Sequence, residues 1–400
     1  MSPARAQPKP LSICDYFEAV RRTDRFSHEP KALQQLRFGF FGEIGGLLAS
    51  VKKSNRDDLH ETETAAASEE LGDALWYLAA SAALLGIDPN DLGNACIDCL
   101  RVGFGEKQLT SIPLVTFRNV DGVLDTHRGA SDAERNQMLG ELAHASGVLA
   151  QEDSAQLEMQ AAPSKGEHFG RLLANLSRTC GAFSLRIEDV ARENLEKIAS
   201  RWPGENPKYI QLLDEEPTLP PYEKLPRSFS MLFEERGTRE KGHVVQSLEG
   251  VFVGDRLTDN SHVPDDYRFH DVFHLAYVAH LGWSPVIRAL LKRKRKSNPQ
   301  KDENEDGARA MVIEEGIATW IFNHAKKRDF YAAVELGRLE YGLLKQIRSM
   351  VSGYEVEKCP LWQWERAILD GFAIFRQLKI ARRGMVEVNM SSHTICFKQV

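Results

Sequence analysis

Glu69-Glu70-Leu71-Gly72-Asp73-Ala74-Leu75-Trp76-Tyr77-Leu78 decides how this chain is read. Leu71, Leu75, Leu78, Ala82 and Leu85 recur at three- and four-residue steps, the period of a helix with an apolar face. Glu70 and Asp73 stand three residues apart and therefore share one face of that helix. Upstream, Leu33, Leu36, Phe40, Leu47 and Val51 mark an earlier helix, which carries Glu43. Slid along itself by 98 residues, the chain sets Gly42-Glu43 on Gly140-Glu141, Glu69 on Glu167, Gly72 on Gly170, Leu78 on Leu176 and Asp91 on Asp189, without a gap. Glu70 and Asp73 then meet His168 and Arg171, so one copy keeps carboxylates that the other lacks. The pattern predicts two related helical units, one of them built to hold a cation. Chance alignment of Ala/Leu-rich helices is the competing explanation.

Composition narrows the class. Four hundred residues allow two or three domains, and 42% apolar with 27% charged residues is the balance of a globular protein. A net charge of -6 argues against a nucleic-acid coat, which would be basic. Six scattered cysteines without a secretory leader point to a reducing, cytoplasmic compartment. Cys96 and Cys99 form a CxxC with no second pair at zinc-ribbon spacing, so buried thiols are expected there. The longest apolar run, Ala74 to Ile87, is too short to span a bilayer, and no membrane partner is expected.

Residues 1–10 read as a disordered lead-in, 11–102 as the helical unit with the acidic face, and 103–131 as a Gly-rich linker. Within the first unit, polar Ser54 to Ser68 reads as the connection between two helices, and Asp88-Pro89-Asn90 opens a third. A degenerate second unit follows over 132–203, then a Pro-rich linker over 204–226. Alternation at Phe229, Met231 and Phe233 and at Val251 and Val253 predicts a small antiparallel β element over 227–262. A C-terminal helical domain fills 263–400, with helices near 268–281, 284–296, 306–327, 329–352 and 360–380 and a strand in the tail. The fold class is mainly α: tandem helical-bundle units with a small antiparallel β insert.

Carboxylates on two facing helices suit a hard divalent cation, Mg²⁺ or Mn²⁺, which takes oxygen ligands. Glu43, Glu70 and Asp73 are the candidate catalytic and metal residues, with Glu69 assisting. The same acids also suit a solvated helix start after Ser68.

Phe41-Gly42-Glu43-Ile44-Gly45-Gly46-Leu47-Leu48 followed by Glu69 to Leu78 resembles the MazG-like all-α nucleoside triphosphate pyrophosphohydrolases. That family pairs ExxE on one helix with ExxD on the next to bind Mg²⁺, and releases pyrophosphate by cleaving between the α and β phosphates. Glu70 and Asp73 match the ExxD half; in the ExxE half Glu43 stands, but Gly46 replaces the second glutamate. Arg192 to Pro203 resembles the family's closing helix, which implies substrate-binding roles for Asn194, Lys197 and Arg201. The resemblance also implies a homo-oligomer, a dimer in such folds, with the two units of one chain reading as a pseudo-dimer.

Further along, His270 and His274 lie one turn apart around Asp271, and Glu314-Glu315 follows forty residues later. Two histidines with helical carboxylates can hold a transition metal, since imidazole suits zinc, iron or manganese. Hydrogen-bonded core histidines are the plainer alternative. The run from Tyr267 to Val286 resembles the C-terminal extension of longer MazG-like proteins. Lys292 to Lys296, answered by Asp302 to Asp306, is expected to form a self-compensated exposed loop. Three readings follow: Mg²⁺-dependent hydrolysis of an NTP or dNTP to monophosphate and pyrophosphate, nucleotide binding or sensing at a degenerate site, or a metal-dependent activity at the C-terminal His/Glu cluster.

Overall fold

The computed structural model describes residues 8–27, 29–57, 60–107, 111–204, 206–238 and 241–400. The lead-in expected over residues 1–10 lies, through residue 7, outside the described residues. The chain divides into two compact units, 1–199 and 200–400, and it is mainly α with one small antiparallel sheet.

In the first unit the helices are α1 Ile13–Thr23, α2 Ala32–Asp57, α3 His60–Leu84, α4 Pro89–Gly103, α5 Phe117–Leu124, α6 Asp132–Gln151, α7 Ser154–Met159, α8 Ala162–Ala182 and α9 Ile187–Arg201. The polar stretch from Ser54 to Ser68 is helical on both sides of residues 58–59, not a loop. Polar composition alone does not separate a solvated helix from a connection. A Cβ on Gly39 would fall 2.6 Å from Tyr77 Cζ, and one on Gly46 would fall 2.9 Å from Glu70 Cδ. Position rises along α2 as it falls along α3, so the pair is antiparallel and close. Helix α4 starts as its sequence dictates, with Asp88 accepting from the Asn90 and Asp91 amides and Pro89 in the first turn. Gly170 of α8 lies where a Cβ would meet the Ala95 backbone carbonyl carbon at 3.0 Å, which lets α8 approach α4. Helices α4 and α9 begin at 89 and 187 and end at 103 and 201, and α3 and α8 end at 84 and 182, an offset of 98 each time.

The 103–131 stretch is more than a linker. Thr116 and Asn119 form a capping box that starts α5. From α5, the buried Asp121 accepts from the Ile187 and Glu188 amides at 3.0 Å each. A carboxylate there satisfies amides that a helix start leaves orphaned and favours the dipole. Asp121 is therefore the cap that aims α9. Cys96 is buried and Cys99 half-buried, both free thiols, as the sequence led one to expect.

The second unit is built on a five-stranded antiparallel sheet of order β3-β2-β1-β4-β5, from β1 Ser228–Arg236, β2 His243–Leu248, β3 Val251–Leu257, β4 Arg383–Asn389 and β5 Thr394–Lys398. The β element of 227–262 is thus no separate insert, because β1 pairs with β4 in the register Met231 with Val386 and Phe233 with Gly384. Between β3 and β4 come α10 Asp271–Leu281, α11 Pro285–Leu290, α12 Pro299–Asn304, α13 Ala308–Lys326, α14 Tyr341–Met350 and α15 Leu361–Ala381. Every residue of α10 is buried, so it is the core helix of this unit. It stops at Gly282, which takes the left-handed C-cap (φ 65°) open to a residue without Cβ.

Two expected helices are shorter than their patterns. The one at 284–296 stops at Leu290, just before Lys292 takes a positive φ (58°), and beyond it Arg295 bonds Asp306. Arg295 and Asp306 join the two charge blocks, but both are fully buried instead of forming an exposed loop. The one at 329–352 begins only at Tyr341, since Asp329, Phe330 and Tyr331 all have positive φ.

Candidate functional site

Helix α3 presents Glu69, Glu70 and Asp73 half-buried toward α2 and α9, and α2 presents Glu43. The Glu43 carboxyl hydrogen-bonds that of Glu70. Burial, with Asp73 and Glu70 beside it, pushes Glu43 up to about 8, while Lys197 pulls it down. The rise favours a proton held between the two carboxyls. The Tyr77 hydroxyl, one turn after Asp73, is pushed up to about 12 by burial and by Glu43 and Asp73.

Helix α9 closes the cluster. Lys197 Nζ donates to Glu69 Oε1 at 3.1 Å and to Asp73 Oδ2 at 2.5 Å. Asn194 Nδ2 donates to Asp73 Oδ1 at 3.1 Å, and the buried Tyr16 hydroxyl donates to Asn194 Oδ1 at 2.8 Å. Ser68 Oγ adds a bond to Glu193 Oε2 at 2.6 Å. This approach requires Gly72, where a Cβ would stand 3.2 Å from Asn194 Cβ. A glycine in mid-helix costs about 1 kcal/mol against alanine, and here close packing explains it. Tyr16, Asp121 and Gly72 are the residues that reading for acids and bases passed over; the mid-helix glycine was the one available signal.

Six of the expected residues therefore meet: Glu43, Glu69, Glu70, Asp73, Asn194 and Lys197. Arg201 does not join them. Its guanidinium is buried and donates to Glu365 Oε2 at 2.7 Å and to the Leu339 carbonyl. Four residues beyond Lys197, it is committed to the second unit's core, and it is withdrawn as a phosphate-binding group. Gly46 also gains a reason: the Glu70 carboxylate occupies the space that a side chain at position 46 would need.

An all-oxygen donor set of Glu43, Glu70 and Asp73 fits Mg²⁺. Lys197 brings a cationic side chain to Glu69 and Asp73.

The C-terminal cluster assembles too. Ligand-type atoms of His270, Asp271 and His274, all buried, lie within 4.8 Å of one another. His270 Nε2 is 3.2 Å from Asp271 Oδ1 and 3.8 Å from Glu315 Oε2, and His274 Nε2 is 3.5 Å from Glu315 Oε1. Glu314 does not face this group. It takes His274 Nδ1 at 2.8 Å, Ser284 Oγ at 2.6 Å and the Val286 amide at 2.9 Å.

Among the described residues, no helix is long and apolar enough to cross a membrane. Residues 208–400 match the family model of the MazG C-terminal domain. No curated protein and no solved structure matches the chain.

Proposed function

We propose, for a chain whose residues 208–400 match the MazG C-terminal domain model, that its first unit hydrolyses a nucleoside triphosphate to monophosphate and pyrophosphate with Mg²⁺. The observation that carries this reading is the meeting of the α3 carboxylates with Asn194 and Lys197 of α9. Acids come from the first helical repeat and the closing helix from the second. One chain then supplies what two copies would otherwise share.

Glu43, Glu70 and Asp73 would hold the cation. When bound, Mg²⁺ neutralises phosphate oxygens and makes a coordinated water more acidic. The rest is work for the side chains. Tyr16 fixes Asn194, and Asn194 and Lys197 fix both oxygens of Asp73, so the carboxylate stays in one orientation. Lys197 also offsets the negative charge that a triphosphate must approach. Asn194 is a positioning residue on this geometry, because both ends of its amide are engaged.

Gly46→Ala tests the crowding. The added Cβ forces Glu70 away, so half-saturation by Mg²⁺ should rise about tenfold or more, the range for a disturbed ligand shell. Stability should fall by about 1–3 kcal/mol, as for overpacking. A Mg²⁺ titration of turnover, with a urea melt beside it, reads both. Unchanged Mg²⁺ dependence would remove Glu70 from the site.

A second reading, binding without turnover, is favoured by Gly46 and by His168 and Arg171 at the positions of the missing acids. One experiment separates them: canonical and modified NTPs and dNTPs with Mg²⁺ or Mn²⁺, products resolved by ion-pair chromatography, and Glu70→Gln as control. Monophosphate plus pyrophosphate, lost in the variant, supports the hydrolase. Nucleotide stabilising the fold without product supports the sensor. Product formation that survives Glu70→Gln and fails in His274→Ala moves the chemistry to the second unit.

A further inference from the structure

The geometry points to a divalent transition-metal site in the second unit, held by Nε2 of His270 and His274 and by the carboxylates of Asp271 and Glu315. Hydrogen bonding at the far side of each ring makes the argument. His270 Nδ1 meets the Tyr267 carbonyl at 2.9 Å, and a carbonyl only accepts, so Nδ1 carries the proton. His274 Nδ1 meets Glu314, which already accepts from Ser284 and from the Val286 amide, so this Nδ1 donates as well. In the neutral rings both Nε2 atoms are then lone pairs. They face oxygens of Asp271 and Glu315, which are lone pairs too. Ligand atoms of His270, Asp271 and His274 lie within 4.8 Å of one another with Glu315 beside them, an arrangement that a shared cation satisfies.

Distances and burial agree. A tetrahedral ion with bonds of about 2.1 Å sets its ligands about 3.4 Å apart, and the three pairs here lie at 3.2, 3.5 and 3.8 Å. His274 Nε2 is fully buried, points into the cluster and has no hydrogen-bond partner. A buried polar atom left so is destabilising, and coordination removes that cost. The outer partners are those of a metal site: a carboxylate on one histidine, a backbone carbonyl on the other, and Gln246 Nε2 on Asp271 Oδ2 at 2.5 Å. Tyr267 stacks on the His270 ring with centroids 4.3 Å apart and fixes its plane.

The site has an open side. His270 and Glu315 stand in the wall of a cavity of about 540 Å³, with Asn260, Thr319 and Asn323 around it. Structural zinc is enclosed by its ligands, whereas a catalytic ion keeps a position for water or substrate. Mixed imidazole and carboxylate donors favour zinc, manganese or iron(II) over magnesium.

Full-length protein carrying Glu70→Gln, which disables the first unit's acids, is stripped with chelator and titrated with Co²⁺ under visible absorption. One equivalent of Co²⁺ should develop d–d bands, displaced by Zn²⁺ and not by millimolar Mg²⁺. Adding His270→Gln or Glu315→Gln should weaken Co²⁺ at least tenfold. Glu315 has a side chain 42% exposed, so its variant keeps the fold and the test stands if the histidine variant does not. Folded protein without d–d bands, or bands that both variants leave unchanged, overturns the site.

Discussion

Glu365→Ala should cost the second unit about 3–5 kcal/mol, the penalty for stripping the partner from a buried charge. Arg201 and Glu365 are 3% and 1% exposed, so water cannot replace the lost carboxylate. The loss is wider than one ion pair. Glu365 Oε1 also accepts from the Gly337 and Leu339 amides at 2.9 and 2.8 Å, and these would be orphaned together with the guanidinium. Arg201→Met with Glu365→Leu should recover part of the stability, because removing both charges removes the uncompensated one while the Gly337 and Leu339 amides stay without their acceptor. Urea unfolding of the single and double variants gives the comparison. A single-variant loss below 1 kcal/mol would mean that the pair is solvated. The folded double variant should keep its nucleotide turnover; a specific loss would return Arg201 to the phosphate site.

Asp73→Asn should lower turnover about 100-fold while leaving the fold as stable as before, or more so. The rate loss is at the upper end of what disturbing a metal's surroundings costs. Asp73 is the node where Lys197 and Asn194 converge, and its charge also raises Glu43. An amide keeps the shape and drops one negative charge from a crowded group. Relief of repulsion is why stability should not fall, the trade typical of sites tuned for function. Kinetics at saturating Mg²⁺ and a thermal melt of the same preparation decide it. Equal losses in both would make Asp73 a structural residue.

Helical periodicity and local signals made much of this architecture legible. Asp88-Pro89 marked the start of α4, the EELGD run marked the acidic face, and the one-turn spacing of His270 and His274 placed them on a single helix. What escaped depends on partners distant in the chain. The pairing of β1 with β4 joins residues from Glu234 with Arg383 to Ser228 with Asn389, far apart in the chain, which no local alternation reveals. Arg201 reads like Lys197 in sequence; Glu365 and the Leu339 carbonyl divert it. Asp121 looks like any loop acid until the amides of α9 arrive above it.

Gly46 carries a historical consequence. With the Glu70 carboxylate lying over it, a second acid at this point of α2 requires the Glu70 side chain to swing aside, because the first atom of any side chain there already meets it. A reversion would need position 70 to give way first, at the expense of whatever Glu70 now does. The rotamer at 70 is therefore tied to the residue at 46. A glutamate at 46, as the ExxE pattern has it, should come with a glutamate at 70 whose carboxylate is aimed elsewhere, which the structure of such a relative would display directly.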